Sequence, residues 1–240
     1  MKTIAILQPH YLPWIGYFEM IDRVDEFWLF DDVDFIKREW KNRNRIRGTP
    51  DGTEAKWLTV GIERSSQRGT PIAEARLATE TDWRQRHLDA FREVYRHAPH
   101  FERAASLLER GLAGQHATLG DLNAALLSDL CRALGIHTPL RRTSTLTVAG
   151  VKTERLVAVC RAVGATHYLA NDRSADYLDL DLFTRAGIEL EYQAYAHPEY
   201  PQRSRGADLP FLSHLSVLDL IANHGPSALE IIRSGRGVPR

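Results

Sequence analysis

A run of polar and aromatic side chains near the amino terminus has the residue types needed to bind and act on a small molecule. The run covers residues 8–17, and its candidate side chains are Gln8, His10, Tyr11, Trp14, Gly16 and Tyr17. A histidine can exchange a proton near neutral pH or hydrogen bond a phosphate oxygen. A glycine lets a ligand or a neighbouring backbone come close. We expect His10 and Tyr11 to be catalytic and the other four residues to bind substrate.

Carboxylates follow the next apolar run. Asp31, Asp32 and Asp34 have the ligand type that Mg²⁺ prefers, and they are equally suited to a substrate hydroxyl or amine. We expect Asp31 to contact substrate. Asp32 is a candidate general base, as is His10, and the sequence leaves open which of them takes the proton.

A strongly basic segment comes directly after these acids. Residues 37–47 hold six basic side chains and one acidic one, so the local charge is +5 (six minus one). Paired guanidinium groups recognise phosphate or carboxylate, and the interleaved aromatic and amide groups would add shape to such a site. The alternative is a solvated charged loop. The substrate-binding candidates here are Lys37, Arg38, Trp40, Asn42, Arg43 and Asn44.

The second half of the chain adds further candidates at predicted element ends. Lys152 and Thr153 stand at the start of a predicted helix, where free amide protons favour an anion. Asn171 follows a predicted strand, and ligands of parallel sheets lie beyond the carboxyl ends of the strands. The remaining candidates for substrate binding are Tyr177, His197, Tyr200 and Gln202. For each, a surface or packing role is the alternative.

Hydrophobic periodicity predicts the elements that must position these residues. An almost continuously apolar run at 3–7 is typical of a strand covered on both faces, and it precedes a helix at 14–24 and a strand at 27–30. Such a unit usually makes a right-handed parallel crossover. Residues 34–69 are a polar excursion around one strand-like run, 57–62. Three helices follow, at 81–97, 99–113 and 119–134.

An α/β alternation then resumes. It predicts a helix at 152–163, a strand at 167–169, a short helix at 177–185, a strand at 188–192 and a last helix at 213–223. We therefore predict one α/β domain over residues 1–240, with a mostly parallel Rossmann-like sheet and an inserted helical subdomain at about 81–135.

Composition excludes several classes of protein. The 240 residues carry 31 basic and 31 acidic side chains, and this balance does not fit a protein that coats nucleic acid. Two cysteines and the absence of a long apolar stretch predict a cytoplasmic protein without a membrane span. Dinucleotide, P-loop, zinc-protease and serine-hydrolase motifs are absent from the sequence, so NAD and zinc are disfavoured, while ATP with Mg²⁺ stays open.

The run at 8–17, followed by 31–33 and 37–46, resembles the signature of the WbqC-like protein family. The resemblance continues at 152–155, 177–179, 197–202 and 215–220, so it spans nearly the whole chain. It implies that the protein is encoded with bacterial surface-polysaccharide or natural-product genes. It also implies a transferase activity, with glycine or another aminoacyl group as the group transferred.

A weaker similarity concerns the nucleotidylyltransferase and pantothenate synthetase group. Those enzymes grip ATP phosphates with a His-x-Gly-His motif at the turn after the first strand. Here Gly16 is in register, but Trp14 and Tyr17 stand where both histidines would be. This departure counts against ATP chemistry, although the predicted sheet is nucleotidylyltransferase-like at its amino terminus.

These observations lead to one function and two alternatives. We expect a transferase whose substrate is small, anionic or nucleotide-activated, such as a sugar nucleotide, with its polar clusters facing one crevice. An ATP-dependent nucleotidyl or adenylate-forming enzyme is the first alternative. A non-catalytic sugar-nucleotide-binding partner of biosynthetic enzymes is the second. Nucleic acid is not expected as a partner, and the oligomeric state stays open.

Overall fold

A five-stranded parallel sheet forms the centre of the protein. The computed structural model describes residues 1–66 and 69–237. The strands in this part of the chain are β1 (Thr3–Leu7), β2 (Glu26–Leu29), β3 (Arg43–Arg47), β4 (Ala55–Thr59), β5 (Leu140–Arg142), β6 (His167–Ala170), β7 (Glu189–Tyr192), β8 (Gln202–Ser204) and β9 (Ala207–Leu209). The large sheet has the order β5-β2-β1-β6-β7, and each neighbouring pair is parallel. The predicted α/β class with a mostly parallel sheet is confirmed.

The helices lie close to their predicted positions, except for the last one, which was not predicted. They are α1 (Ile15–Arg23), α2 (Trp83–Tyr95), α3 (Phe101–Ala113), α4 (Leu119–Leu134), α5 (Lys152–Ala162), α6 (Leu180–Ala186), α7 (Val217–His224) and α8 (Ala228–Ser234). The bounds of α4 match the prediction because both of its ends are marked in the sequence. The side chain of Thr118 caps the first turn, and Gly135 ends the helix with a left-handed φ of 79°. Within residues 1–66 and 69–237, no helix is long and apolar enough to cross a membrane.

The continuous apolar run of β1 is explained by burial on both sides of the sheet. Ala5 packs into a core with α1, α4 and α7, while Ile4 and Ile6 pack into a second core with α5 and α6. Successive side chains of a strand point to opposite faces, so a strand between two helical layers is apolar at every position. Both faces are therefore covered by helices, and the ends of the strands are left for ligands.

Two antiparallel hairpins stand apart from this sheet, β3 with β4 and β8 with β9. The basic segment was predicted to lie in a polar excursion at 34–69, but its second half is strand β3. Asn44 and Ile46 are buried there, while Arg43 and Arg45 are only partly buried. This period of two is a strand signal, and it was hidden because the outward positions are all arginines. Strand β5, hairpin β8–β9 and helix α8 were also not predicted.

A buried polar network ties β3 to α2, α7 and β8. The guanidinium of Arg47 donates to Oε1 of Gln202 and to the carbonyl oxygen of Pro210. The Asp219 carboxylate, which has no exposed surface, accepts hydrogen bonds from the hydroxyls of Tyr95 at 2.8 Å and Tyr200 at 2.9 Å and from Nε2 of Gln202 at 2.8 Å. Burial raises the pKa of Asp219, and these bonds and the charge of Arg47 oppose that rise.

Candidate functional site

The carboxyl ends of the five parallel strands meet at one edge of the sheet. The chain passes from β1 outward to β2 and β5 on one side, and later to β6 and β7 on the other, so the order reverses beside β1. Ligands of open α/β sheets bind at such a switch point. Leu7 pairs with Leu29, and His10 and Asp32 each lie three residues beyond this pair. Asn171 follows β6 on the other side of β1 and is half-buried.

Hydrogen bonds fix the turn after β1 against the basic segment. Nδ2 of Asn123 donates to the carbonyl oxygens of Pro9 at 2.9 Å and Lys41 at 2.8 Å. Nδ2 of Asn44 donates to the carbonyl oxygens of Tyr11 at 3.1 Å and Leu12 at 2.8 Å. The structure thus brings together two segments that the sequence analysis selected separately, and it holds the turn rigid around His10.

His10 is a side chain of this turn that is left available to a ligand. Its ring is half-buried and lies 5.1 Å from the ring of Tyr17, centroid to centroid. Among residues 1–66 and 69–237, no hydrogen-bond partner of either ring nitrogen is found. Burial and, to a smaller extent, the positive charge of Lys41 lower the pKa of His10 to about 3. The imidazole is therefore neutral at physiological pH, with one nitrogen able to accept a proton.

Lys41 is a second chemical group at this site, and the sequence analysis counted it only as one of six cations. Its side chain is 5% exposed and forms an ion pair with Glu39, which is 42% exposed. Burial lowers the pKa of Lys41 to about 8. The Glu39 carboxylate favours the ammonium form, but it is in contact with solvent, so the loss of water around Lys41 has the larger effect. Lys41 therefore changes its charge within the range in which enzymes work.

Two buried amide oxygens beside this turn lack a hydrogen-bond donor. They are Oδ1 of Asn42 and Oδ1 of Asn123, in the part of the chain that the structure describes. The orientation of the Asn123 amide is set by the two bonds that its Nδ2 donates. A buried acceptor without a partner is costly, so these oxygens are suited to a substrate donor. Asn123 was not predicted as a site residue. Its position on the leucine-rich face of α4 was a usable signal, because a polar side chain on that face is buried.

The two aspartates after β2 are neutralised within the protein. Asp31 is buried and accepts hydrogen bonds from Nε of Arg142 at 2.5 Å and from the backbone N of Ser144 at 3.0 Å. Asp32 accepts a bond from Oγ1 of Thr143 at 2.6 Å and pairs with Arg155. These pairs join the loops after β2 and β5 to α5. In the described ranges, no cluster of three acidic, histidine or cysteine side chains suited to a metal is found.

Several predicted residues of the first run shape the turn. The hydroxyl of Tyr11 lies 2.8 Å from Nδ1 of His87, and burial raises the pKa of Tyr11. The hydroxyl of Tyr17 donates to the carbonyl oxygen of Gln8 at 2.9 Å. A Cβ atom on Gly16 would lie 2.2 Å from Cη2 of Trp14, so this glycine makes room for an indole ring.

The ring of Trp14 contacts residues in the loops that follow β7. Its ring stacks on those of His214 at 5.0 Å and His197 at 5.8 Å. The predicted site residues Tyr200 and Gln202 belong instead to the buried network of Asp219. The structure therefore places His197 beside the amino-terminal turn, and it places the other two inside the protein.

The remaining predicted residues lie at the surface or near α5. Lys37 and Arg38 are exposed, as is Lys152, the first residue of α5, whose φ is 52°. Oγ1 of Thr153 accepts a bond from the backbone N of Asp179 at 3.1 Å, which joins α5 to the segment before α6. Tyr177 is 66% exposed in that segment. Trp40 and Arg43 form a cluster with Trp57 at the hairpin β3–β4.

Comparison with known proteins agrees with the resemblance seen in the sequence. No solved structure matches the chain. The chain is 37% identical over 235 residues to the uncharacterized protein Rv1507c of Mycobacterium tuberculosis, covering 97% of this chain and 98% of that relative. The model of the WbqC-like protein family matches residues 8–231, which include the turn around His10, the basic segment and the start of α5. This chain is therefore a member of the WbqC-like protein family.

Proposed function

We propose that the protein is a biosynthetic transferase. It would move an acyl or aminoacyl group, such as glycyl, onto an amine or hydroxyl of a sugar, sugar nucleotide or natural-product intermediate in bacterial surface-polysaccharide or secondary-metabolite synthesis. The observation that carries this proposal is the neutral imidazole of His10, which has no hydrogen-bond partner among the residues that the structure describes and lies in a rigid turn at the carboxyl edge of the sheet. The free ring nitrogen can accept the proton of an acceptor and pass it to a leaving group.

The reaction would proceed by attack of the acceptor nitrogen or oxygen on the donor carbonyl carbon. A bond forms between those two atoms, and the bond from the carbonyl carbon to the leaving group breaks. His10 takes the proton that the acceptor loses and delivers it to the leaving group. Burial and the nearby charge of Lys41 make protonated His10 unfavourable, so the proton is held only briefly. The amide oxygens of Asn42 and Asn123 would orient donor groups of the substrate.

The order of the sheet supports a nucleotide-bearing substrate. Numbered along the chain within this sheet alone, the five strands have the order 3-2-1-4-5. This is the order of Rossmann-like folds, which bind nucleotides at the reversal point. Asp32 is a weaker candidate for the base, because its carboxylate is already paired with Arg155.

The ATP-dependent alternative has less support. In that alternative Gly16 would let a phosphate approach the first turn of α1, but the indole of Trp14 occupies the space over this glycine. Isothermal titration with ATP and Mg²⁺ separates the two functions. Heat of binding, together with release of pyrophosphate when substrates are added, would favour the alternative.

A mass-spectrometric screen tests the proposed reaction. The purified protein is incubated with acyl-CoA or glycyl-adenylate donors and with UDP-glucosamine or UDP-glucose as acceptors. We expect an acceptor whose mass rises by one acyl group and whose formation depends on the protein. Product formation that is equally fast with heat-denatured protein would contradict the proposal.

The rate of transfer is expected to rise with pH around the pKa of Lys41, about 8. Below this pH the ammonium of Lys41 opposes protonation of His10, and above it the opposing charge is lost. In Lys41→Met the charge is absent at every pH, so the rise should disappear. The measurement is the turnover number between pH 6 and 10, with Lys56→Met as the control. An unchanged rise in Lys41→Met would show that another group titrates.

A further inference from the structure

Two tryptophans and two arginines form a surface cluster at the hairpin β3–β4, which we name the tryptophan–arginine platform. Its members are Trp40, Arg43, Arg45 and Trp57. The two indole rings lie 5.3 Å apart at their centroids. The guanidinium carbon of Arg43 lies 4.0 Å from the centroid of Trp57, and that of Arg45 lies 5.7 Å from the centroids of both rings. Trp57 is 41% exposed, which is unusual for a large aromatic side chain.

Among the residues that the structure describes, the arginines of the platform have no anionic partner. Arg43 makes no ion pair or side-chain hydrogen bond with residues 1–66 and 69–237. The Nε atoms of Arg43 and Arg45 are both buried without an acceptor in this part of the chain. Arg45 donates one hydrogen bond, to the carbonyl oxygen of His214 at 3.3 Å. Guanidinium groups that are partly withdrawn from water and left unpaired are prepared to receive a phosphate.

We infer that the platform binds the nucleoside diphosphate part of an activated substrate. The base would stack on Trp57, and the phosphates would bind the guanidinium groups of Arg43 and Arg45. Stacking on an aromatic ring combined with cationic contacts is the common way to hold a nucleotide without reading its sequence. The inference rests on the proposed function, because it names the activated part of the substrate on which that function acts.

The position of the platform agrees with this assignment. Trp40 precedes Lys41, and its carbonyl oxygen accepts a hydrogen bond from the backbone N of Tyr11 at 2.9 Å. The platform is therefore continuous with the turn that carries His10. Its two rings offer stacking area for about one base. The chain as a whole has a net charge of zero, which does not favour a long polyanion.

Calorimetric titration with UDP and ADP tests the inference on the intact protein. We expect saturable binding of both nucleotides, weakened about tenfold or more in Trp57→Ala, because base stacking is lost. Arg43→Met should weaken UDP binding and leave the weaker binding of uridine unchanged, since uridine carries no phosphate. Lys56→Ala is the control, because Lys56 is exposed on the same strand and its side chain alternates to the other face. Thermal melting of each variant verifies that it is folded.

The outcomes separate the platform from the proposed function. Equal affinities in Trp57→Ala and Lys56→Ala, or no binding of either nucleotide at millimolar concentration, would overturn the inference. Binding of a single-stranded oligonucleotide without binding of UDP or ADP would also overturn it. UDP binding that depends on Trp57 in a protein with no transferase activity would support the platform and contradict the proposed function alone.

Discussion

Replacement of His10 by asparagine is expected to lower the turnover number of acyl transfer by about 10²- to 10⁴-fold, the usual contribution of a positioned acid-base group. Asparagine retains a polar side chain but cannot carry the proton from acceptor to leaving group. Neither ring nitrogen of His10 bonds to another residue in the described ranges, so its loss should change the melting temperature little. The measurement is the initial rate with the donor and acceptor pair that the mass-spectrometric screen identifies.

The control for this change is His97→Asn, which alters an exposed histidine just after α2. Its rate should equal that of the unmodified protein. The non-catalytic alternative makes a different prediction. If the protein only binds the sugar nucleotide, the substitution would weaken that binding and leave the rate at saturating substrate unchanged. Full activity of His10→Asn at saturating substrate would therefore exclude His10 as the group that moves the proton.

Asp219→Ala is expected to destabilise the fold by about 3–5 kcal/mol, because it removes both a buried hydrogen-bond acceptor and the charge that compensates a buried arginine. Asp219 is completely buried and lies in the same network as Arg47, which is also buried. Alanine would leave that arginine without a compensating charge, and it would leave the hydroxyls of Tyr95 and Tyr200 without an acceptor. Urea denaturation, followed by far-ultraviolet circular dichroism, measures the change in the free energy of unfolding.

The matched control is Asp208→Ala, which removes an exposed aspartate paired with Arg203. An exposed ion pair contributes about 0–1 kcal/mol, so this variant should unfold nearly as the parent does. Asp219→Asn should fall between the two, because an amide keeps hydrogen bonding but not the charge. Equal stability of Asp219→Ala and Asp208→Ala would mean that the network adds no net stability.

The large sheet was predictable where a single pattern dominates a segment. Strand β1 was recognised because it is apolar at four successive positions, and α4 because leucines recur at helical spacing between two marked ends. Strand β5 has only three residues, Leu140–Arg142, and two of them are arginines. Its position at the sheet edge results from parallel pairing with β2, which no local pattern reveals. Pairing with a neighbouring strand, and not the local sequence, therefore decides that these three residues form a strand.

The candidate site was harder to predict than the fold, because residue type does not reveal burial. Tyr11 and Gln202 have the same functional groups as ligand-binding residues, but their polar atoms bond to other buried residues. Lys41 was one cation among several in the sequence, and its lowered pKa results from packing that only the fold creates. Asn123 comes from a helix distant in sequence, and it reaches the turn only because α4 lies against it.

The crystal structure of the protein soaked with UDP-glucosamine tests the central claim most directly. This compound joins an amine acceptor, a sugar and a nucleoside diphosphate in one molecule. Our account predicts that its amine lies within hydrogen-bonding distance of a ring nitrogen of His10, with the uracil stacked on Trp57 and the phosphates at Arg43 and Arg45. Ordered density for the ligand at the opposite, amino-terminal edge of the sheet, or with the amine remote from His10, would contradict the account.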